Sequence, residues 1–205
     1  MAASPLGRWG GHAAAVGGLL WIAHAVMVAR MPVGCIAEEC LTRPMRDTTA
    51  AAPLFIAAVL FIALGLAALV GRSRSAGRFG GLGCLALGAS AAGIVGLLLA
   101  LLVQTVFFRG DFPLMPNFVI PAGLALVVGF LLLGIAILRS GVLPKWTAAL
   151  LVIGALAMLG ANDQNTRFLL VIPFGLAWIA VGYVLWCGRD TARVQQASGC
   201  KDIRD

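Results

Sequence analysis

The stretch from Gly80 to Phe108, which contains no charged residue, most narrowly limits what this chain can fold into. It is longer than the roughly 20 residues that an α-helix needs to cross the hydrocarbon core of a bilayer. In the whole chain, 61% of the residues are hydrophobic and 11% are charged, and the mean hydropathy is +1.00. A soluble domain carries about 25% charged residues. The sequence therefore predicts an all-α protein, a polytopic transmembrane helical bundle.

Apolar runs separated by polar segments predict six membrane spans. They cover residues 13–29, 53–70, 80–108, 118–138, 147–161 and 168–187. We interpret residues 1–187 as a single transmembrane domain and residues 188–205 as a polar cytoplasmic tail. The triplet Ala23-His24-Ala25 also has the small-x-small form of a signal-peptide cleavage site. Because the apolar run continues past this triplet, we favour a span over a signal peptide.

The distribution of positive charge predicts the orientation of the bundle. With six spans, both termini lie on one side of the membrane, and ten of the 15 Lys and Arg residues fall on that side. Lys and Arg are retained on the cytoplasmic side during insertion. We therefore expect a protein of the plasma (inner) membrane with both termini in the cytoplasm. The net charge of +7 has no soluble domain on which to form a basic patch, so the composition argues against a nucleic-acid partner.

Small residues recur at every fourth position of the third span. They are Gly80, Cys84, Gly88, Ala92, Gly96 and Ala100. Small residues allow close approach of helices in lipid. A step of four residues advances about 400° on an α-helix, so this ridge winds by about 40° per step and is expected to face several neighbours in turn. We therefore expect the third span to be the central helix of the bundle and these residues to pack against other helices.

An internal repeat is suggested by two similar heptapeptides. Residues 119–125 read VIPAGLA and residues 171–177 read VIPFGLA, and the second span, beginning at Pro53, is a looser third copy. Three repeated helical hairpins would account for this pattern. Pro121 suits a helix start if Asn117 caps that helix. Pro173 would instead bend a helix that begins at Phe168, although kinks of this kind are more often packing features than ligand sites.

Two cysteines near the first span predict a disulfide bond. Cys35 and Cys40 lie on the predicted outer side, where the environment is oxidising. A structural disulfide is our first interpretation of the pair. The alternative is a redox-active pair, but such pairs usually have the closer C-x-x-C spacing and a reactive thiol.

Two polar residues lie inside the predicted spans at similar depth. His24 and Gln104 are each within two turns of the outer boundary, where an unpartnered polar group is costly. One interpretation is that they only hydrogen-bond to neighbouring helices. The functional interpretation is an outward-facing polar vestibule for a small or lipid-like ligand, which would also include the polar loop residues Asn162, Asp163, Gln164 and Arg167.

Function is limited mainly by what the sequence lacks. It contains no phosphate-binding loop and no H-E-x-x-H motif, no Asp, Glu or Lys in mid-span, and too few histidines for bis-histidine haem, so we predict neither cofactor nor metal. The first hypothesis is a non-catalytic membrane protein. It would be an accessory or assembly subunit that contacts a membrane-protein partner through helix faces, or a binder of a lipid-like molecule. The second hypothesis is a small transporter or channel, and the third is a thiol-disulfide oxidoreductase.

Overall fold

A computed structural model describes residues 5–35, 46–75, 77, 80–107 and 115–199. These residues form six α-helices and two short 3-10 helices, in agreement with the predicted all-α class. The α-helices are α1 (Pro5–Arg30), α2 (Ala52–Ser75), α3 (Gly81–Phe107), α4 (Met115–Ser140), α5 (Lys145–Met158) and α6 (Ile172–Gly199). The 3-10 helices, Thr49–Ala51 and Thr166–Val171, lead directly into α2 and α6.

Five helices are long and apolar enough to cross a membrane, and α5 is a shorter apolar helix. At 1.5 Å per residue, the 14 residues of α5 extend about 21 Å, which is less than the roughly 30 Å hydrocarbon core. The helix nevertheless runs antiparallel between α4 and α6: Gly134 of α4 lies beside Ala148, and Gly154 lies beside Phe174 of α6. The fold is thus compatible with a helical membrane bundle, and the sixth span stays a prediction.

The helices are neighbours in space in an order that differs from their order in the chain. Along the bundle the neighbours are α2, α1, α6, α5, α4 and α3. The two ends of the bundle are distinct. We call one the basic end, because Arg72, Arg139 and Lys145 lie there, and the other the Arg46 end.

Paired glycines allow α1 to contact two helices at close range. Gly17 faces α2, where an added Cβ would lie 2.8 Å from Ile62 N. The next residue, Gly18, faces α6, where an added Cβ would overlap the carbonyl oxygen of Gly175. The pair Gly10-Gly11 repeats this arrangement seven residues earlier, two turns along the helix. Each pair therefore provides one close contact to each neighbour, as expected for helices packed in lipid.

The prediction that the third span is the central helix is wrong. Only 28% of the α3 span is buried, compared with 44% for α1 and for the α6 span, and α3 packs mainly on α4. Among the buried residues of α3 are Ala86, Ser90, Gly93 and Ala100, at intervals of four, three and seven residues. Ser90 lies against Gly129 of α4, and Gly93 lies against Leu126. Fourteen residues advance about 1400°, within 40° of four full turns, so this spacing keeps one face towards one partner.

Aromatic side chains fill the centre of the bundle. Phe174 of α6 is fully buried, and its ring centroid lies 5.2 Å from that of Trp21 in α1 and 4.8 Å from that of Phe130 in α4. Trp178 lies one turn further along α6, 5.6 Å from Phe130. These rings belong to one hydrophobic core that includes residues of all six helices.

The two similar heptapeptides adopt different positions in their helices. α6 begins at Ile172, so Pro173 occupies its first turn, where no intrahelical partner for N–H is lost and no kink is required. Pro121 instead lies inside α4, which begins at Met115, so Asn117 belongs to the first turn and is not the cap. Both expectations about these prolines are therefore corrected. The repeat of three hairpins stays a hypothesis.

The ends of the predicted domain also shift. α1 begins at Pro5, eight residues before the predicted first span, and α6 continues through the predicted tail as far as Gly199. Residues 200–205 lie outside the described residues.

Candidate functional site

Arg46 organises the most extensive polar cluster of the described residues. Its side chain is 7% exposed, and its donors bind only backbone carbonyl oxygens. Nε donates to Pro32 O at 2.8 Å, and Nη2 donates to Met31 O at 3.1 Å. Nη1 donates to Asp163 O at 2.8 Å and to Asn165 O at 3.4 Å. The guanidinium thus joins the segment after α1 to the loop between α5 and α6.

Gln164 strengthens the same connection through both its backbone and its side chain. Gln164 Oε1 accepts from Arg46 N at 2.8 Å, and Gln164 O accepts from Gly34 N at 2.9 Å. Gly34 leaves no room for a side chain, because an added Cβ would lie 2.5 Å from Arg46 N and would overlap Gln164 Oε1. The predicted vestibule residue Gln164 is therefore used to hold two loops together.

The other polar residues of the α5–α6 loop form local turns. Asn162 Oδ1 accepts from Gln164 N at 2.8 Å, and Asp163 Oδ1 accepts from Gln164 Nε2 at 3.1 Å. Asn165 Oδ1 accepts from Arg167 N at 2.8 Å and so caps the 3-10 helix that leads into α6. Asp163 and Arg167 are exposed. These residues shape the loop, and they do not line a cavity that the structure shows.

His24 connects α1 to both 3-10 helices. It is 6% exposed, and its Nδ1 lies 3.1 Å from Ala51 O, the last residue before α2. Since a carbonyl oxygen can only accept, Nδ1 carries the hydrogen in this contact. The ring also packs against Phe55 and Phe168, with centroid distances of 5.3 and 5.5 Å. This arrangement matches the interpretation of His24 as a hydrogen-bonding link between helices.

Gln104 is not brought to His24. Gln104 is half-buried on α3, and among the described residues α1 and α3 are not neighbours. The loop residues 162–167 gather beside Arg46 and the start of α6, near His24. The residues predicted to form the vestibule therefore do not come together as one group. Those of the α5–α6 loop form hydrogen bonds with one another and with Arg46. Arg46 was missed because nothing in the sequence distinguishes it from the neighbouring Arg43.

Only one of the two cysteines of the predicted disulfide lies among the described residues. Cys35 is 1% exposed at the Arg46 end, while Cys40 lies outside the described residues. Cys84 and Cys187 are free thiols on exposed positions of α3 and α6. No group of three or more His, Cys, Asp or Glu side chains that could hold a metal ion occurs in the described part of the chain.

Half of the predicted packing ridge points away from the protein. Gly96 approaches Ala122 of α4, where an added Cβ would lie 2.8 Å from the Ala122 Cβ, and Ala100 is buried. Cys84, Gly88 and Ala92 face outward, whereas Gly80 lies at the edge of a cavity. Gly80 and Gly88 have open space where a Cβ would be, and Cys84 and Ala92 are exposed.

A cavity of about 260 Å³ opens at the basic end. Its wall is formed by the last turns of α2 and α4 and by the first turn of α3. It contains the side chains of Ser73, Leu82, Arg139 and Ser140, and Gly80 lies at its edge. No sequence motif predicts this cavity, because its residues come from three helices and only their packing brings them together.

Comparison of the chain with protein-family models, with curated proteins and with solved structures gives no match.

Proposed function

We propose that this is a non-catalytic integral membrane protein that acts as an accessory subunit of another membrane protein. The observation that carries the proposal is the outward face of α3, formed by Cys84, Gly88 and Ala92 with the flanking Leu85 and Val95. All five residues are exposed, and the α3 span is the least buried of the five long spans. We call this surface the α3 face.

The α3 face has the properties of a helix-packing surface that no helix of the chain uses. Its three small residues are four apart, and an added Cβ at Gly88 would meet nothing within 4 Å. In lipid, small residues at this spacing let a second helix approach closely, while leucine and valine at the sides extend the contact. The occupant that fits this apolar surface is a transmembrane helix of a partner protein.

The packing of the bundle supports this function over the alternatives. An aromatic core occupies the position where a channel would need a water-filled path. Thiol exchange needs an accessible thiolate, and Cys35 is 1% exposed. The predicted vestibule is taken up by bonds to Arg46.

We also propose that the protein lies in the plasma membrane with its basic end in the cytoplasm. In the predicted six-span topology, ten of the 15 Lys and Arg residues fall on this side, in keeping with the positive-inside rule. Trp9, Trp146 and Trp186 support the placement, since all three are exposed and belong to the basic end. Tryptophan side chains prefer the level of the lipid headgroups.

Photo-crosslinking in native membranes tests the partner proposal. A photoreactive residue at position 85 lies on the α3 face, and one at position 64 lies on an exposed part of α2. We expect position 85 to give one discrete protein adduct that position 64 does not give. Gly88→Leu should abolish the adduct by filling the face.

Gly123→Leu is the matched control, because Gly123 is also a helical glycine with open space around it, but on α4. It should leave the adduct unchanged. Adducts to lipid alone, or equal adducts in both glycine variants, would refute the proposal. An adduct of twice the 21.2 kDa chain mass would show a second copy of this chain in place of a different protein.

A further inference from the structure

The cavity at the basic end lies where α2 and α3 separate. Although they follow each other in the chain, α3 packs along α4 and makes few contacts with α2. The space between them is closed by the last turns of α4, which provide Leu133, Ile137 and Arg139. It is partly open and about 260 Å³ in volume. A ligand could therefore enter it from the side, between two helices.

The charge around the cavity is positive. Arg139 belongs to its wall, and Arg72 lies on the adjoining last turn of α2. Among the acidic side chains that the structure describes, Asp47 and Asp163 both lie at the Arg46 end, on the far side of the bundle. No described carboxylate therefore offsets the field of these arginines. An anionic ligand is favoured.

The polar part of the wall offers hydrogen-bond donors at short range. The first N–H groups of α3 have no partner within the helix, and such helix starts favour phosphate oxygens. Gly80 and Gly81 leave this helix start open, because an added Cβ on either would meet nothing within 4 Å. The hydroxyl groups of Ser73 and Ser140 also lie in the wall, but each donates its one hydrogen to a carbonyl of its own helix, so the donors for a phosphate are the α3 N–H groups and Arg139.

The rest of the wall is apolar and continues onto the outside of the bundle. Leu82, Leu133 and Ile137 line the cavity. Next to these positions on α4, Ile135 and Leu138 are exposed. A ligand with an anionic head and a long apolar tail matches a polar wall that continues into an apolar surface. A free phosphate ion would contact only the polar part of the wall.

We infer that this cavity binds the phosphate headgroup of an anionic phospholipid, with the acyl chains lying along the exposed side chains of Ile135 and Leu138 on α4. The orientation proposed above places the cavity at the cytoplasmic leaflet. Basic pockets between transmembrane helices on that side are suited to anionic headgroups. The inference concerns a different surface from the α3 face and goes beyond the accessory function.

Native mass spectrometry of the full chain in detergent tests the site. Phosphatidylglycerol and phosphatidylcholine with the same acyl chains are added separately, and the first bound lipid is counted at each concentration. We expect tighter binding of phosphatidylglycerol. Arg139→Gln should weaken it about tenfold, which corresponds to about 1.4 kcal/mol. Gly80→Leu should weaken it as well, by filling the cavity without changing charge.

Lys145→Gln is the matched control, because Lys145 is also an exposed cation at the basic end but does not line the cavity. It should change phosphatidylglycerol binding less than twofold. Equal binding of the two lipids, equal effects of Arg139→Gln and Lys145→Gln, or an unchanged affinity in Gly80→Leu would each overturn the inference. Complete displacement of the lipid by millimolar inorganic phosphate would overturn the lipid part of it.

Thermal unfolding followed by circular dichroism identifies any variant that fails to fold. Gly80→Leu and Arg139→Gln test the site independently, because the first changes the volume of the cavity and the second changes its charge. The crosslink at position 85 should survive Arg139→Gln. Failure of the lipid site and failure of the accessory function can thus be told apart.

Discussion

The contact between α1 and α6 at Gly18 provides the sharpest test of the packing described here. An added Cβ at this position would overlap the carbonyl oxygen of Gly175 and lie 2.9 Å from Ile179 N. Both are backbone atoms, so no side chain can rotate away to make room, and α1 and α6 must move apart. Gly18→Ala should therefore destabilise the bundle, although alanine is the better helix former.

The magnitude follows from two opposing effects. Overpacking of a close-packed core costs about 1–3 kcal/mol, whereas replacing a helical glycine by alanine gains about 1 kcal/mol. Gly123→Ala receives only the gain, because open space surrounds Gly123. The difference between the two variants should thus isolate the overpacking, about 1–3 kcal/mol. For a chain of this size it corresponds to about 2–12 °C in melting temperature.

Thermal unfolding of both variants in mild detergent, followed by the helical circular dichroism signal, measures this difference. We expect Gly18→Ala to melt below the wild type and Gly123→Ala to melt at or above it. If the two variants melted at the same temperature, the close contact between α1 and α6 would be refuted.

Three further perturbations test the Arg46 end. Arg46→Met should lower the free energy of unfolding by at least about 1.5–3 kcal/mol, the contribution of one hydrogen bond to a charged group, and should make the α5–α6 loop accessible to protease. Arg167→Met, at an exposed arginine, should do neither. An equal effect of the two variants would contradict the role of Arg46 in joining the two segments. Hydrogen bonds from the hydroxyl and N–H of Thr49 lower the pKa of the Asp47 carboxyl below its ordinary value of 3.8. The stabilisation of the folded protein by these bonds is therefore complete above pH 3.8 and is lost as the pH falls through the lowered pKa of Asp47. NMR titration of the Thr49 amide should report a midpoint below pH 3.8. A midpoint above 3.8 would exclude the hydrogen bonds between Thr49 and Asp47. His24→Leu removes a buried hydrogen bond and should cost about 1–3 kcal/mol in detergent unfolding; an unchanged midpoint would show that the bond contributes nothing.

The sequence predicted the helices well because hydropathy and length act locally. Each of the six predicted spans corresponds to an α-helix, with shifts at the ends. The shifts arise where polar residues continue a helix, as beyond residue 187 in α6, or where a 3-10 helix replaces its first turn, as before Ile172. Hydropathy cannot detect either, since both depend on backbone hydrogen bonds.

The arrangement of the helices was harder to predict, because small residues are typical of a close contact without showing which helix provides it. The ridge through Gly88 was expected to make α3 central, but in the structure it faces outward. The glycine pair Gly17-Gly18 carries the central contacts instead. Adjacent glycines point about 100° apart on a helix. A glycine pair repeated after seven residues would therefore have identified α1 as a helix with a close neighbour on each of two faces.

The polar residues were predicted as a group but not in their roles. Asn162, Asp163 and Gln164 do lie together, yet they surround Arg46 instead of lining a vestibule. Gln104 is separate because its helix packs on α4. Only the three-dimensional packing shows that Arg46 is satisfied by backbone carbonyls from two distant segments.

The mass of the intact complex extracted from native membranes tests the proposed function most directly. Native mass spectrometry in mild detergent should find the 21.2 kDa chain bound to one other polypeptide at a fixed ratio. That polypeptide should be lost in Gly88→Leu and kept in Gly123→Leu. Recovery of the chain alone, or only as multiples of itself, would contradict the account of α3 as the surface that an accessory subunit presents to its partner. A partner that stays bound in Gly88→Leu would contradict it as well.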